Sequence, residues 1–222
     1  MAERCRLCYI TDRTAFAPDE PTRRRRLFEK IDEATRSGID YIQLREKDLP
    51  TRDLESLARE AVALLNKLRS RNPELSTALL INSRSDIALT VGADGVHLRS
   101  DDVRPQEVKQ IWNQSGAPPD ALIGISCHSA SEVKQAEADR ASFVVFAPVF
   151  VKKDAPASQP AGLTGLREAC RAKIPVLALG GVSLENAKEC LDAGAAGIAG
   201  IRLFQQNDIA KVVDSLRQLS RC

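Results

Sequence analysis

The sequence predicts an α/β protein folded as a single (β/α)8 TIM barrel, and three observations carry that prediction. Eight short β-branched or aliphatic runs recur along the 222 residues, an amphipathic segment follows each, and the runs are apolar nearly throughout. A strand buried on both faces has no side for polar residues, so these runs call for parallel strands covered by helices. Eight such units in a chain of this length suit a closed barrel over residues 1–222, with a doubly wound open sheet as the alternative. A second domain has no room.

Taken in order, RLCYITD (6–12) opens the pattern and leads to RRRRLFEKIDEATRSG (23–38), where Gly38 follows the helical run as a left-handed C-terminal residue. YIQLREK (41–47) precedes TRDLESLAREAVALLNKLRSR (51–71), with Thr51 at the N-cap position. TALLINS (77–83) precedes RSDIALTVG (84–92), ended by Gly92, and GVHLRS (95–100) precedes RPQEVKQIWNQSG (104–116). ALIGISC (121–127) precedes SASEVKQAEADR (129–140), whose Ser129 and Glu132 read as a capping box. FVVFAPV (143–149) is followed by the longest irregular piece, FVKKDAPASQPAG (150–162), and then by LTGLREACRAK (163–173). PVLALGG (175–181) precedes SLENAKECLDAG (183–194), with Ser183 as N-cap and Gly194 at the far end. GIAGIRLF (197–204) completes the set, and DIAKVVDSLRQLS (208–220) packs after it.

Composition narrows the function. Hydrophobic residues make up 43% and charged residues 28%, and the net charge is +2, too small to suggest a nucleic-acid partner. The run TRRRR (22–26) reads as the solvated start of a helix. No apolar stretch approaches the roughly 18 residues of a membrane span, and MAERCRLCYITD lacks a secretory core, so no membrane partner and a cytoplasmic location are expected. The six cysteines are expected as reduced thiols; Cys5 and Cys8 have C-x-x-C spacing but no second pair or histidine cluster to complete a zinc set.

In such a barrel the C-terminal strand tips form the active-site face. The tips carry Thr11 and Asp12, then Gln43, Arg45 and Lys47, then Asn82 and Arg84, then His97 and Asp102, then Ser126 and His128. Lys152, Lys153, Gly180, Gly181 and Arg202 complete the set. Cations outnumber carboxylates there, which points to anionic substrate groups, and guanidinium and ammonium groups match phosphate oxygens. LGGVS ahead of a helix, after the seventh strand, is where a barrel cradles phosphate on backbone N–H groups.

These residues resemble the thiamin phosphate synthases and the related thiazole tautomerases. The matching pieces are YIQLREKD, LLINSRSDIAL, VGADGVHLRSDD, IGISCHSASEV, APVFVKKDAP, GLTGLREA and IPVLALGGVSLENAKECLDAGAAGIAGI, which cover nearly the whole chain in the family's order. A synthase joins a phosphorylated thiazole to a pyrimidine methyl diphosphate with magnesium help. The resemblance implies that Gln43, Arg45, Lys47, Asn82, Ser126 and Lys152 hold the diphosphate, that Asp102 holds Mg2+, and that Gly180 and Gly181, with backbone near Ile201, receive the thiazole phosphate. It alone suggests a homodimer.

The chain also departs from the family's pattern. Ser83 stands where the pattern NDR has a magnesium-binding aspartate, which weakens the metal site; Arg99 and Ser100 replace glycine and glutamine; the family's PVFPT-x-TK is shortened to PVFVKKD, without its two diphosphate-contacting threonines, and Arg202 stands where serine is common. Arg202 either adds a phosphate contact or fills space the substrate needs. A metal-independent thiazole tautomerase is therefore an alternative, with His128 as its general acid/base. A non-catalytic sensor or partner protein that keeps the phosphate pocket is the alternative of another class. His97 reads as a satisfied structural histidine, and nothing near Cys127 in sequence activates its thiol.

Overall fold

The computed structural model describes residues 4–117, 120–151 and 159–219. Its strands are β1 (Arg6–Ile10), β2 (Tyr41–Leu44), β3 (Ala78–Asn82), β4 (Gly95–Leu98), β5 (Leu122–Cys127), β6 (Phe143–Phe146), β7 (Val176–Ala178) and β8 (Gly197–Gly200). They pair in parallel and in chain order, and β8 closes on β1, so the open-sheet alternative is excluded. The helices α1 (Glu20–Arg36), α2 (Thr51–Arg71), α3 (Ser85–Val91), α4 (Pro105–Gln114), α5 (Ala130–Ala138), α6 (Gly162–Ala169) and α7 (Ala187–Asp192) alternate with the strands. After β8 come the short α8 (Arg202–Gln205) and then α9 (Ile209–Leu219).

Two cores follow from the two faces of each strand. The larger lies between strands and helices and takes residues such as Leu44, Ile81, Val96 and Ile198. The smaller fills the barrel axis with Cys8, Ile10, Leu80, Phe143, Val145, Leu177 and Ala199. Tyr41 stacks on Phe143 with ring centroids 4.5 Å apart, which adds a flat aromatic plug to this axial core. Polar residues toward the strand ends therefore sit on a packed floor above which a ligand can rest.

Several local expectations need correction. The apolar run of β2 ends at Leu44, so Arg45 and Lys47 are loop residues; β8 ends at Gly200, and Arg202 to Gln205 turn into α8 instead of extending the strand. Thr51 is the first residue of α2, behind Pro50, and makes no cap. Ser183 is likewise no cap: its N–H donates to Asn186 Oδ1 (2.8 Å), and Asn186 precedes α7. Ser129 Oγ accepts from Glu132 N–H as expected, but Glu132 reaches one residue further back, accepting from His128 N–H at 2.8 Å. Gly38, Gly92 and Gly194 hold the left-handed φ values of 81°, 68° and 104° that end their helices.

The arginine run lies in the first turns of α1, where Arg25 pairs with Glu29 and Arg24 reaches Glu60 of α2. Cys5 and Cys8 are free and buried, with burial pushing their thiols up to about 11 and about 12. Among the described residues no helix is long and apolar enough to cross a membrane.

Candidate active site

A cleft of about 750 Å³ opens at the C-terminal ends of the strands. Its β2 side shows how YIQLREKD works: residues alternate along the exit, so Gln43, Arg45 and Lys47 line the cleft while Leu44 and Glu46 are buried in the wall. The buried Gln43 side chain is fixed by donating from Nε2 to Asn82 Oδ1 at 2.7 Å. Arg45 lowers the Lys47 pKa most, followed by partial burial and by Arg99. Lys47 is therefore repelled mainly by Arg45, an arrangement that an anionic ligand relieves.

Glu46 faces a buried counterpart that the sequence reading missed. Arg13, 2% exposed, follows β1 and donates from Nη1 to Glu46 Oε2 (3.2 Å) and to Asp48 Oδ1 (2.6 Å). Its Nε and Nη2 grip Glu20 at the start of α1, at 2.9 and 3.1 Å. Thr11 Oγ1 donates to Glu46 Oε1 (2.5 Å) and accepts from Arg45 N–H (3.0 Å). Burial would lower the Arg13 pKa, but its bonds to Asp48, Glu20 and Glu46 raise it above the usual arginine value. Burial raises the Glu46 pKa, against the opposing bonds from Thr11 and Arg13. The clue was available: a glutamate between two cleft cations at strand spacing must point into the wall, and a buried carboxylate needs a cation.

On β3 and β4 the expectations separate. Asn82 lines the cleft; Arg84 does not, because its guanidinium is bound bidentately by Asp86 and reaches Thr51 Oγ1. Ser83 has φ 58°, a left-handed conformation in which aspartate and asparagine are enriched. His97 lines the cleft floor, fully desolvated, with Nε2 3.0 Å from Ser126 Oγ and its pKa lowered to about 4, chiefly by burial. Among the described residues its Nδ1 has no hydrogen-bond partner, so the structural histidine is only half satisfied there.

Asp102 is set back from the cleft: its Oδ2 accepts from Arg99 N–H (2.7 Å) to close the β4 turn, while Asp101 lines the cleft and pairs with Arg99. Among the described residues no cluster of three His, Cys, Asp or Glu side chains could hold a metal ion. This donor set fits magnesium only as an ion carried in on a phosphorylated substrate, since Mg2+ binds through one or two carboxylates plus phosphate oxygens.

His128 lines the opposite arc of the cleft, exposed, with Nδ1 2.6 Å from the Ala147 carbonyl. That acceptor requires the proton on Nδ1, which leaves the Nε2 lone pair as the basic atom. Cys127 is buried behind the cleft lining, and burial pushes its thiol up to about 12. Gly180 and Gly181 take φ 96° and 68°, and a Cβ on Gly181 would lie 2.7 Å from Phe150 Cβ, so the turn requires glycine. Asn186 Nδ2 donates to Gly181 O (3.0 Å) and fixes the turn from outside. Ile201, Arg202 and Gly200 complete this end of the cleft. Lys152 and Lys153 lie outside the described residues.

Residues 7–204 match the family model described as thiamine monophosphate synthase. The putative thiamine-phosphate synthase 2 of Aquifex aeolicus (strain VF5) is 40% identical over 200 residues, which cover 90% of this chain and 97% of the relative. The thiamine-phosphate synthase of Clostridium novyi (strain NT) is 36% identical over 207 residues, 91% of this chain and 92% of the relative. The solved structure of a thiamine phosphate pyrophosphorylase from Pyrococcus furiosus superposes with a TM-score of 0.76 at 32% identity, covering 99% of this chain and 97% of that one. A 3-hexulose-6-phosphate synthase, at 14% identity and a TM-score of 0.61, shares the fold alone. Sequence and barrel thus agree over nearly the full length, and the chain belongs to the thiamine monophosphate synthase family.

Proposed function

We propose that this thiamin-biosynthetic transferase joins a pyrimidine methyl diphosphate to a phosphorylated thiazole in this cleft, releasing diphosphate and forming thiamin phosphate. One observation supports the reading: a single cleft carries cationic and amide side chains at one end and a glycine turn at the other, two arrangements that each suit an anion. Gln43, Arg45, Lys47 and Asn82 furnish one on β2 and β3, and the Gly180–Gly181 turn after β7 furnishes the other, across the ring. Two substrates that each carry phosphate need two such ends facing one reaction space.

Bond cleavage leaves the electron pair on the departing diphosphate oxygen and a cation on the pyrimidine methylene carbon. Arg45 and Lys47 stabilise that growing negative charge, while Gln43, held by Asn82, and Ser126, held by His97, orient the polar groups around it. The thiazole nitrogen then supplies the electron pair of the new C–N bond, with its phosphate held at Gly181 and the adjoining Ile201 and Arg202 segment. Magnesium would neutralise diphosphate charge; it would be carried in on the phosphate oxygens and met at the β4 turn by Asp101 and by the oxygen of Asp102 not used to close that turn, Ser83 contributing no carboxylate. Lys152 is assigned to the same diphosphate by its place in the family motif.

Purified protein given both precursors and magnesium should yield thiamin phosphate and diphosphate in equal amounts; none at high enzyme concentration rejects the proposal. The Nδ1–H contact of His128 to Ala147 favours a second reading, metal-independent tautomerisation of a thiazole carboxylate phosphate with His128 Nε2 moving the proton. In that case turnover needs no magnesium and His128→Ala abolishes it. Turnover in either assay removes the non-catalytic alternative.

A further inference from the structure

We infer that Arg13 and Glu46 are positioning residues for diphosphate: their buried ion pair holds the backbone of residues 45–48 so that Arg45 and Lys47 converge on one anion. This inference rests on reading the β2 side of the cleft as a diphosphate site. Neither residue lines the cleft, and both side chains are at most 4% exposed.

The geometry is a set of pins on consecutive residues. Thr11 Oγ1 accepts from the Arg45 amide and donates a hydrogen bond to Glu46 Oε1. Glu46 Oε2 accepts from the Arg13 amide at 3.0 Å and from the Arg13 guanidinium at 3.2 Å. Asp48 is held by the same guanidinium at 2.6 Å. Lys47 is thus bracketed by two anchored neighbours, and Arg45 is anchored at its own nitrogen. Without such pins the repulsion between Arg45 and Lys47 would splay the rim, because the carboxylates of residues 46 and 48 turn to Arg13 and that of Asp101 turns to Arg99.

A pair that served only to stabilise the barrel would not need to be distributed this way. Elsewhere the chain shows what that looks like: Asp94 joins Arg69 to the Leu79 amide, and Asp40 joins Arg217 to the Leu7 amide, both at the N-terminal ends of strands. The Arg13–Glu46 pair sits at the opposite ends, in the two loops that carry the cleft residues Asp12, Arg45 and Lys47.

The test separates position from stability by comparing two ligands on the full chain. Calorimetry with inorganic diphosphate and with the phosphorylated thiazole is run on wild type, Glu46→Gln, the double variant Arg13→Met with Glu46→Gln, and Thr11→Val. The double variant leaves neither charge alone in the wall, and Thr11→Val keeps the ion pair but cuts its link to Arg45, so at least one folded variant reports. The expected result is a diphosphate Kd raised roughly tenfold or more in the Glu46 variants and less in Thr11→Val, the thiazole phosphate Kd staying within about twofold. Simple destabilisation lowers the melting temperature and the active fraction without moving one Kd alone. Folded variants that bind diphosphate like wild type overturn the inference and leave the functional reading intact. A wild type that binds no diphosphate overturns both.

Discussion

On the proposed function, the two ends of the cleft would hold their anions by different means. At the β2 and β3 end the candidate groups are the cations Arg45 and Lys47 of the β2 exit, beside a buried ion pair, with the amides Gln43 and Asn82; after β7 they are backbone groups shaped by glycine and fixed by Asn186. Side-chain charge is strong at short range but self-repelling, and so it needs an internal counter-structure. A glycine turn carries no net charge to hold in place and fails only when its shape fails. The difference teaches where each end is fragile: one to changes of charge, the other to the addition of a single carbon.

The comparison is broken most directly at Arg45. Arg45→Ala should lower kcat/KM for the pyrimidine diphosphate by ~100- to 1000-fold, about 3–4 kcal/mol, with the thiazole phosphate KM nearly unchanged in steady-state assays. Equal losses for both substrates would show that the ends are not independent.

The floor beneath the charged end gives the next effect. Burial lowers the His97 pKa from 6.5 to about 4, so the folded state resists its protonation more than the unfolded state does. Its contribution is fully present above pH 6.5 and lost as pH falls through 4, amounting to ~3 kcal/mol. Urea unfolding at pH 7 and pH 4 should show that loss, and His97→Gln should remove most of it.

At the glycine end, Gly181→Ala imposes a left-handed alanine, costing about 1–2 kcal/mol, and places Cβ against Phe150. The thiazole phosphate KM should rise roughly tenfold while inorganic diphosphate binding is retained. Salt sharpens the same contrast with the smallest effect: raising ionic strength from about 0.05 to 0.5 M should weaken diphosphate binding several-fold more than thiazole phosphate binding in parallel titrations.

The barrel was legible because its signals are local: apolar runs of strand length, glycines at helix ends, and a change of period between them. Much of the cleft was legible for a related reason, since strand tips must gather at one face. What sequence order could not show was which way a loop side chain turns. Arg84 looks like a cleft cation until Asp86, two residues on, takes its guanidinium. Asp102 looks like a metal ligand, yet it spends one oxygen closing its own turn. Arg13 gives no local signal, because its carboxylate partners lie 7, 33 and 35 residues away. Thr51 and Ser183 have the right chemistry for caps but sit one residue inside a helix and before an irregular turn, respectively.

Crystals soaked with the phosphorylated thiazole and inorganic diphosphate would show where each anion settles. Diphosphate is expected within hydrogen-bond reach of Gln43, Arg45 and Asn82, and the thiazole phosphate against Gly181 across the cleft. Both anions crowded at one end, or either bound outside the barrel mouth, would contradict that placement.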